Sequence, residues 1–202
     1  MTSETSIRIL RAADRPAAGW KNGGGVTREI AAFPPGAGMD DFGWRISLAE
    51  VTADGPFSVF PGVDRTLTLA EGAGMDLEIG GVRDLVDRRY EPRGFPGDEP
   101  TACRLLAGPV VNFNVMYRRG AVTADTAVVR GDLALSVRPG ESLLVIALEG
   151  PAEIEGAAGL GPYDAVLATG PRELLLRTRG RAAVVRLGQG SGEAGRFSAC
   201  RS

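Results

Sequence analysis

Short apolar runs broken by glycine and proline set the tightest limit on how this chain can fold. The sequence carries 29 glycines and 13 prolines among 202 residues, and almost nowhere between them does an apolar period of 3.6 residues persist for the length of a helix. Runs such as Leu143–Leu148 and Ala183–Leu187 have the length and residue types of strands and are bounded by turn formers. The pattern predicts strands at Ile7–Leu10, Val26–Ala32, Trp44–Thr52, Phe57–Phe60, Thr66–Leu69, Asp76–Ile79 and Cys103–Leu106. It continues with Asn112–Tyr117, Ala121–Arg130, Leu143–Leu148, Ala152–Ile154, Ala165–Ala168, Leu174–Arg177 and Ala183–Leu187. So many short strands at such spacing point to an antiparallel all-β architecture, because a parallel β-α-β unit needs a helical crossover for which there is no room. Tyr90–Pro100, rich in proline, glycine and charge, is expected to interrupt the strands as a joint or a lid. Gly-Ala-Gly-Met-Asp recurs at 36–40 and 72–76, which reads as shared turn chemistry and not as a structural repeat.

With 44% apolar residues the chain can bury a core as one large domain or two compact halves. Its first ten residues show no basic stretch followed by an apolar one, and no later run has transmembrane length, so a cytoplasmic protein without membrane contact is expected. Cys103 and Cys200 lack metal or redox spacing and read as free thiols. A net charge of −2 with interspersed signs argues against a nucleic-acid face, and the arginine pairs Arg88-Arg89 and Arg118-Arg119 read as solvated strand ends.

The absent residue type excludes more than the charge does. The sequence has 0 histidines, which removes Ser-His-Asp and Cys-His catalysis and the usual zinc, iron and manganese ligand sets. No metal site and no cofactor are expected. A phosphate-binding P-loop is excluded as well, since the one lysine, Lys21, follows Gly19-Trp20 and precedes an asparagine.

That lysine is itself informative. All other members of the 23 basic residues are arginine, and Lys21 stands beside Gly23-Gly24-Gly25. A chain that writes arginine elsewhere and lysine once suggests a position suited to a compact ammonium. The glycines permit positive φ and close approach of backbone N–H groups to a ligand, although a tight surface turn uses them equally well.

Trp20-Lys-Asn-Gly-Gly-Gly-Val-Thr-Arg-Glu-Ile30, Trp44-Arg-Ile-Ser-Leu-Ala-Glu-Val51, Gly55-Pro-Phe-Ser-Val-Phe-Pro-Gly-Val-Asp-Arg65 and Asn112-Phe-Asn-Val-Met116 with Arg118-Arg119-Gly120 follow one another in order. In that order they resemble the HutD/Ves family. The resemblance implies a bicupin, two cupin-type jelly-roll β-barrels in one chain, of bacterial type and associated with histidine utilisation. It implies an N-terminal barrel over 1–110, carrying the glycine motif, and a C-terminal barrel over 111–202, with strands open to exchange between them. It also implies binding of a small acid, a formylglutamate-like metabolite, in a regulatory or governing role, and brings no established catalytic activity. The family usually has aspartate where this chain has Asn112, which puts any proton transfer there in doubt and leaves hydrogen bonding intact.

Within this frame the expected ligand-binding residues are Lys21, Glu29, Arg45, Ser47, Asn112, Asn114 and Arg65. Strand alternation puts Arg45, Ser47, Ala49 and Val51 on one face and Trp44, Ile46, Leu48 and Glu50 on the other. The first of these faces is expected to line the pocket, with Lys21, Arg45 and Ser47 as polar anchors and Glu29 and Asn114 as orienting partners. Glu29 is expected to pair with Lys21 or Arg45, Arg28 to lie solvated or salt-bridged outside, and Arg65 to pair with Asp64 or cap its turn. Phe57 and Phe60 are read as core. The competing class is an enzyme of isomerase or lyase type in which Lys21 acts as base or imine-forming nucleophile with Glu29 as proton partner. Binding is favoured over catalysis, the ligand is a small carboxylate, and a homodimer is compatible with the sequence.

Overall fold

The computed structural model describes residues 5–190. Its strands are β1 (Ser6–Leu10), β2 (Ala18–Gly19), β3 (Gly25–Phe33), β4 (Trp44–Val51), β5 (Gly55–Phe57), β6 (Val63–Glu71), β7 (Met75–Ile79), β8 (Val82–Val86), β9 (Pro92–Pro96) and β10 (Thr101–Leu105). They continue as β11 (Val110–Arg118), β12 (Val122–Val129), β13 (Leu133–Val137), β14 (Ser142–Glu149), β15 (Ala152–Ile154), β16 (Ala158–Leu160), β17 (Ala165–Thr169), β18 (Arg172–Thr178) and β19 (Arg181–Gln189). A 3-10 turn at Ala12–Asp14 is the sole helical element among the described residues.

Four antiparallel sheets stack in layers. A four-stranded sheet, β5-β10-β7-β8, covers one face of a six-stranded sheet, β2-β3-β4-β11-β6-β9. A second pair follows, the five-stranded β1-β17-β14-β19-β12 under the four-stranded β13-β18-β15-β16. Each pair closes over its own core: Leu67, Leu69, Met75 and Leu77 in the first, Val145, Ile154, Val166 and Leu176 in the second. A third core, with Trp44, Ile46, Phe113, Leu144, Ile146 and Val185, packs the six-stranded sheet against the five-stranded one.

This layering explains the sequence of the central strands. In β14, Leu144 and Ile146 face the middle core while Leu143 and Val145 face the second pair, so Leu143–Leu148 is apolar throughout. A strand buried on both faces has no reason to alternate. The edge strand β12, Val122–Val129, alternates exposed and half-buried positions along most of its length.

The chain is an all-β protein of two jelly-roll, cupin-type sheet pairs. Strand pairing places β11, Val110–Arg118, between β4 and β6 of the first pair, so it crosses the expected boundary at 110/111 and the change of pair falls between Arg118 and Val122. At the other end of the chain β1 aligns with β17 of the second pair, Ile7 opposite Ala168.

Three local expectations need correction. Tyr90–Pro100 is no free loop, because Pro92–Pro96 pairs with β6 as an edge strand, a position where a missing N–H costs no ladder bond. Leu133–Val137 and Val82–Val86 form strands beyond those expected; in Val82–Val86 both Val82 and Leu85 are largely exposed and leave no clear apolar face, whereas Leu133–Val137 is short but buries Leu135 and Val137 in the core of the second pair. Arg118 and Arg119 are not loose strand ends. Arg118 donates to the carbonyls of Phe42, Pro61 and Asp40, while Arg119 bridges Asp64 and Asp98. Cys200 lies outside the described residues, whereas Cys103 is buried as a free thiol.

Candidate functional site

The six-stranded sheet brings most of the expected polar residues to one face. Asn114 pairs in register with Ser47 on β4 and Leu67 on β6, Asn112 with Ala49 and Leu69, and Met116 with Arg45 and Arg65. On β3, Glu29 stands opposite Ser47 and Thr27 opposite Ala49. Residues directly opposite in a ladder share a face, so Glu29, Arg45, Ser47, Asn112, Asn114 and Arg65 all look into the first sheet pair. Their neighbours Trp44, Ile46, Leu48, Phe113 and Val115 pack into the middle core.

Arg65 is the most unusual of these groups. It is only 9% exposed, and its guanidinium carbon lies 5.2, 5.9 and 5.1 Å from the ring centroids of Phe57, Phe60 and Phe95. Three rings supply cation–π attraction but no counter-charge, and its Nε has no hydrogen-bond partner. Burial pushes the guanidinium pKa down to about 10. Asp64, the expected partner, instead accepts two hydrogen bonds from Arg119 at 3.0 and 2.7 Å. Sequence reasoning missed this because adjacent residues in a strand point to opposite faces. Phe57 and Phe60, read as core, form the wall around the cation.

Two more unsatisfied groups share that face. Asn112 and Asn114 are 1% and 5% exposed, and the Oδ1 of each is buried without a donor. Asn112 Nδ2 reaches the Met75 sulfur at 3.8 Å. Buried polar atoms without partners are rare and costly, typically about 1–3 kcal/mol each, and three of them, Arg65 Nε, Asn112 Oδ1 and Asn114 Oδ1, share this one sheet face. Ser47, 3% exposed, sits directly opposite Asn114. Arg45 donates from Nε to Glu29 Oε2 at 2.8 Å, with its side chain 12% exposed.

Lys21 is placed elsewhere. It is exposed in the turn between β2 and β3, by the Gly25/Val51 end of the β3–β4 ladder, whereas Arg45 is at the other end, a span of about 20 Å along β4. The glycines beside it serve the turn. Gly23 N–H donates to Trp20 O at 3.0 Å, and Gly24 N–H to the Asn22 side chain at 3.1 Å. Gly23 has φ +71, and a Cβ on Gly25 would lie 2.4 Å from Glu50 O. The local backbone therefore accounts for Gly23 and Gly25 without any ligand, and the amides of Gly23 and Gly24 are already engaged.

The opposite face of the same sheet borders a cavity. Arg28 forms an ion pair with Glu50, and both line a crevice of about 480 Å³ where the two sheet pairs meet. Among the described residues no group of three or more His, Cys, Asp or Glu could hold a metal ion. With 0 histidines in the sequence, the donor set of a metal-holding cupin is not present in this chain.

Comparison with known proteins gives this site a context. A family model described as HutD matches residues 12–185. A protein of Pseudomonas putida described as an uncharacterized 21.2 kDa protein in the hutC 3' region is 34% identical over 188 residues, spanning 91% of this chain and 98% of the relative. Protein Ves of Cronobacter sakazakii is 39% identical over 110 residues, 54% of this chain and 59% of Ves. Among solved structures, HutD from Pseudomonas fluorescens SBW25, determined in a formate condition, superposes with a TM-score of 0.82 at 32% identity over 91% of this chain and 99% of that one. A bacterial pirin from Escherichia coli, solved with nickel(II), superposes with a TM-score of 0.64 at 10% identity over 92% of this chain and 100% of its own. At that identity the likeness concerns the cupin-type fold alone.

Proposed function

The chain belongs to the HutD family, and from that premise we propose that it binds a small anionic metabolite, a formylglutamate-like acid, without a metal and in a regulatory role in histidine utilisation. The observation that carries this reading is Arg65, a cation walled by three phenylalanine rings with no carboxylate paired to it among the described residues. A buried charge without a partner is strongly unfavourable. A ligand carboxylate would supply the missing charge through charge-assisted hydrogen bonds, strengthened by the apolar surroundings. Asn112 and Asn114 would then accept from N–H or O–H groups of the ligand, as an N-acylated amino acid offers. Ser47 and the Arg45–Glu29 pair complete the polar face.

The enzyme reading, with Lys21 and Glu29 acting together, has less in its favour. Glu29 is engaged by Arg45, and the extended chain from Gly25 to Glu29 covers about 13 Å. Calorimetric titration of formylglutamate, formiminoglutamate, urocanate and glutamate into the protein tests the proposal. Saturable binding that Arg65→Met removes supports it, and heat of dilution alone from all four acids overturns it.

A further inference from the structure

The crevice on the other face of the six-stranded sheet has a different character. Its wall from the first sheet pair carries Arg28, Glu50 and Glu71; its wall from the second carries Tyr163, with Arg15 from the segment after β1. Two guanidiniums and two carboxylates sum to no net charge, unlike the face that holds Arg65 and Arg45 against Glu29.

Each charged group is anchored with capacity left over. Arg15 donates to the carbonyls of Tyr163 at 2.7 Å and Leu10 at 2.8 Å, and its Nε is buried without a partner. Glu50 receives Arg28 on Oε1, and Glu71 receives the Tyr163 hydroxyl on Oε1. That hydroxyl crosses from one sheet pair to the other. Tyr163 adopts φ 63, a left-handed conformation that a non-glycine residue avoids without cause. Its N–H donates to Ala147 O at 2.7 Å while its carbonyl receives Arg15, so the surroundings hold the strained backbone from both sides. Such conformations persist where structure over-determines them and gather at ligand clamps. Burial and the adjoining Glu71 both push the Tyr163 pKa up, keeping the hydroxyl a donor.

We propose that this crevice is a second binding site, for a zwitterion of α-amino-acid size, whose carboxylate meets Arg28 and Arg15 and whose ammonium meets Glu50 and Glu71. The volume of about 480 Å³ lies in the range of small-molecule sites. The paired charges discriminate in both directions: a dicarboxylate would face two glutamates, and a simple amine two arginines. A zwitterion satisfies both signs at once, and a mismatched end would leave a buried polar group unpaired.

The test is calorimetry of the full chain against the free α-amino acids, each compared with its N-acetyl and its carboxamide derivative in the Arg65→Met background, where the anion site takes no N-acyl acid. At least one amino acid should bind saturably, and capping either end should weaken it at least tenfold. Arg28→Gln, which changes a half-exposed ion pair and should leave the fold intact, should weaken it at least tenfold, and Glu71→Gln should do likewise. Arg65→Met should leave this binding unchanged, which separates it from the anion site on the opposite face. The proposal is overturned if no free amino acid binds, if a capped derivative binds as tightly as its parent, or if Arg65→Met abolishes binding that Arg28→Gln leaves intact.

Discussion

Arg28 and Glu29, neighbours in β3, serve opposite faces of one sheet. Arg28 pairs with Glu50 beside the crevice between the sheet pairs, while Glu29 accepts from Arg45 at 2.8 Å on the face that looks into the first pair. The two-residue period of the strand sends consecutive charges apart, and one six-stranded sheet thereby presents polar groups to two separate spaces.

Arg65 should trade stability for binding. Replacing an unpaired buried cation by an apolar side chain of similar length removes a desolvation cost, so Arg65→Met is expected to keep or raise the melting temperature while anion affinity falls at least tenfold. Thermal unfolding followed by circular dichroism reads the first quantity and calorimetry the second. A melting temperature lowered by ten degrees would show that the arginine is a structural element.

Lys21→Ala should matter little. An exposed residue in a turn typically changes stability by less than about 0.5 kcal/mol, and acid binding centred on Arg65 should change by less than about threefold. Loss of binding in this variant, or a borohydride-trapped adduct on Lys21, would return the lysine to the site.

Gly25 and Gly24 separate backbone necessity from mere flexibility. A Cβ at Gly25 would fall 2.4 Å from Glu50 O, whereas at Gly24 its nearest contact is the Asn22 side chain at 3.4 Å. Gly25→Ala is expected to destabilise by about 1–3 kcal/mol and Gly24→Ala by much less, both measured by urea unfolding. Equal effects would contradict the register of β3 on β4.

Much of the fold was legible in the sequence, and the losses have physical causes. Leu143–Leu148 announced itself because burial on both faces makes a strand uniformly apolar. Val82–Val86 did not, because its exposed Val82 and Leu85 leave no clean pattern; Leu133–Val137 does alternate, with Leu135 and Val137 buried, but over only five residues. At the site, alternation in β4 put Arg45 and Ser47 together, but no local signal shows that β11 and β6 flank each other, so the meeting of Arg65 with Met116 and Phe95 depends on long-range pairing. Lys21 drew attention through rarity, yet Gly25 beside it is explained by backbone contact alone.

Cys103 should be inert in the native protein. Burial, with a smaller contribution from Asp54, raises its pKa to about 11 from an ordinary 9.0, so the thiolate fraction at pH 8 falls by about a hundredfold. Iodoacetamide labelling followed by peptide mass mapping should find Cys103 unmodified in buffer and modified in denaturant. The same shift implies stability that is complete below pH 9 and is lost as pH rises through about 11, because only the unfolded thiol ionises in that interval.

Asp164 ties the first strand to the second sheet pair. Burial raises its pKa, but hydrogen bonds from Ala12 N–H at 2.7 Å, Arg11 at 2.7 Å and Gly161 N–H at 3.2 Å outweigh that and hold it below the ordinary value. A depressed carboxylate contributes stability above its unfolded pKa and loses it as pH falls through the folded one. Asp164→Asn should therefore cost about 1 kcal/mol at pH 7 and flatten the acid limb of the stability curve, as read by urea unfolding between pH 3 and pH 7. An unchanged acid limb would remove Asp164 from the account.

The most direct test of the central claim is calorimetric titration of N-formylglutamate into the wild-type protein and Arg65→Met, with both shown to be folded by circular dichroism. The account predicts saturable one-site binding to the wild type and its loss, by tenfold or more, in the variant. Equal affinity in the two proteins, or no binding to the wild type, would contradict it.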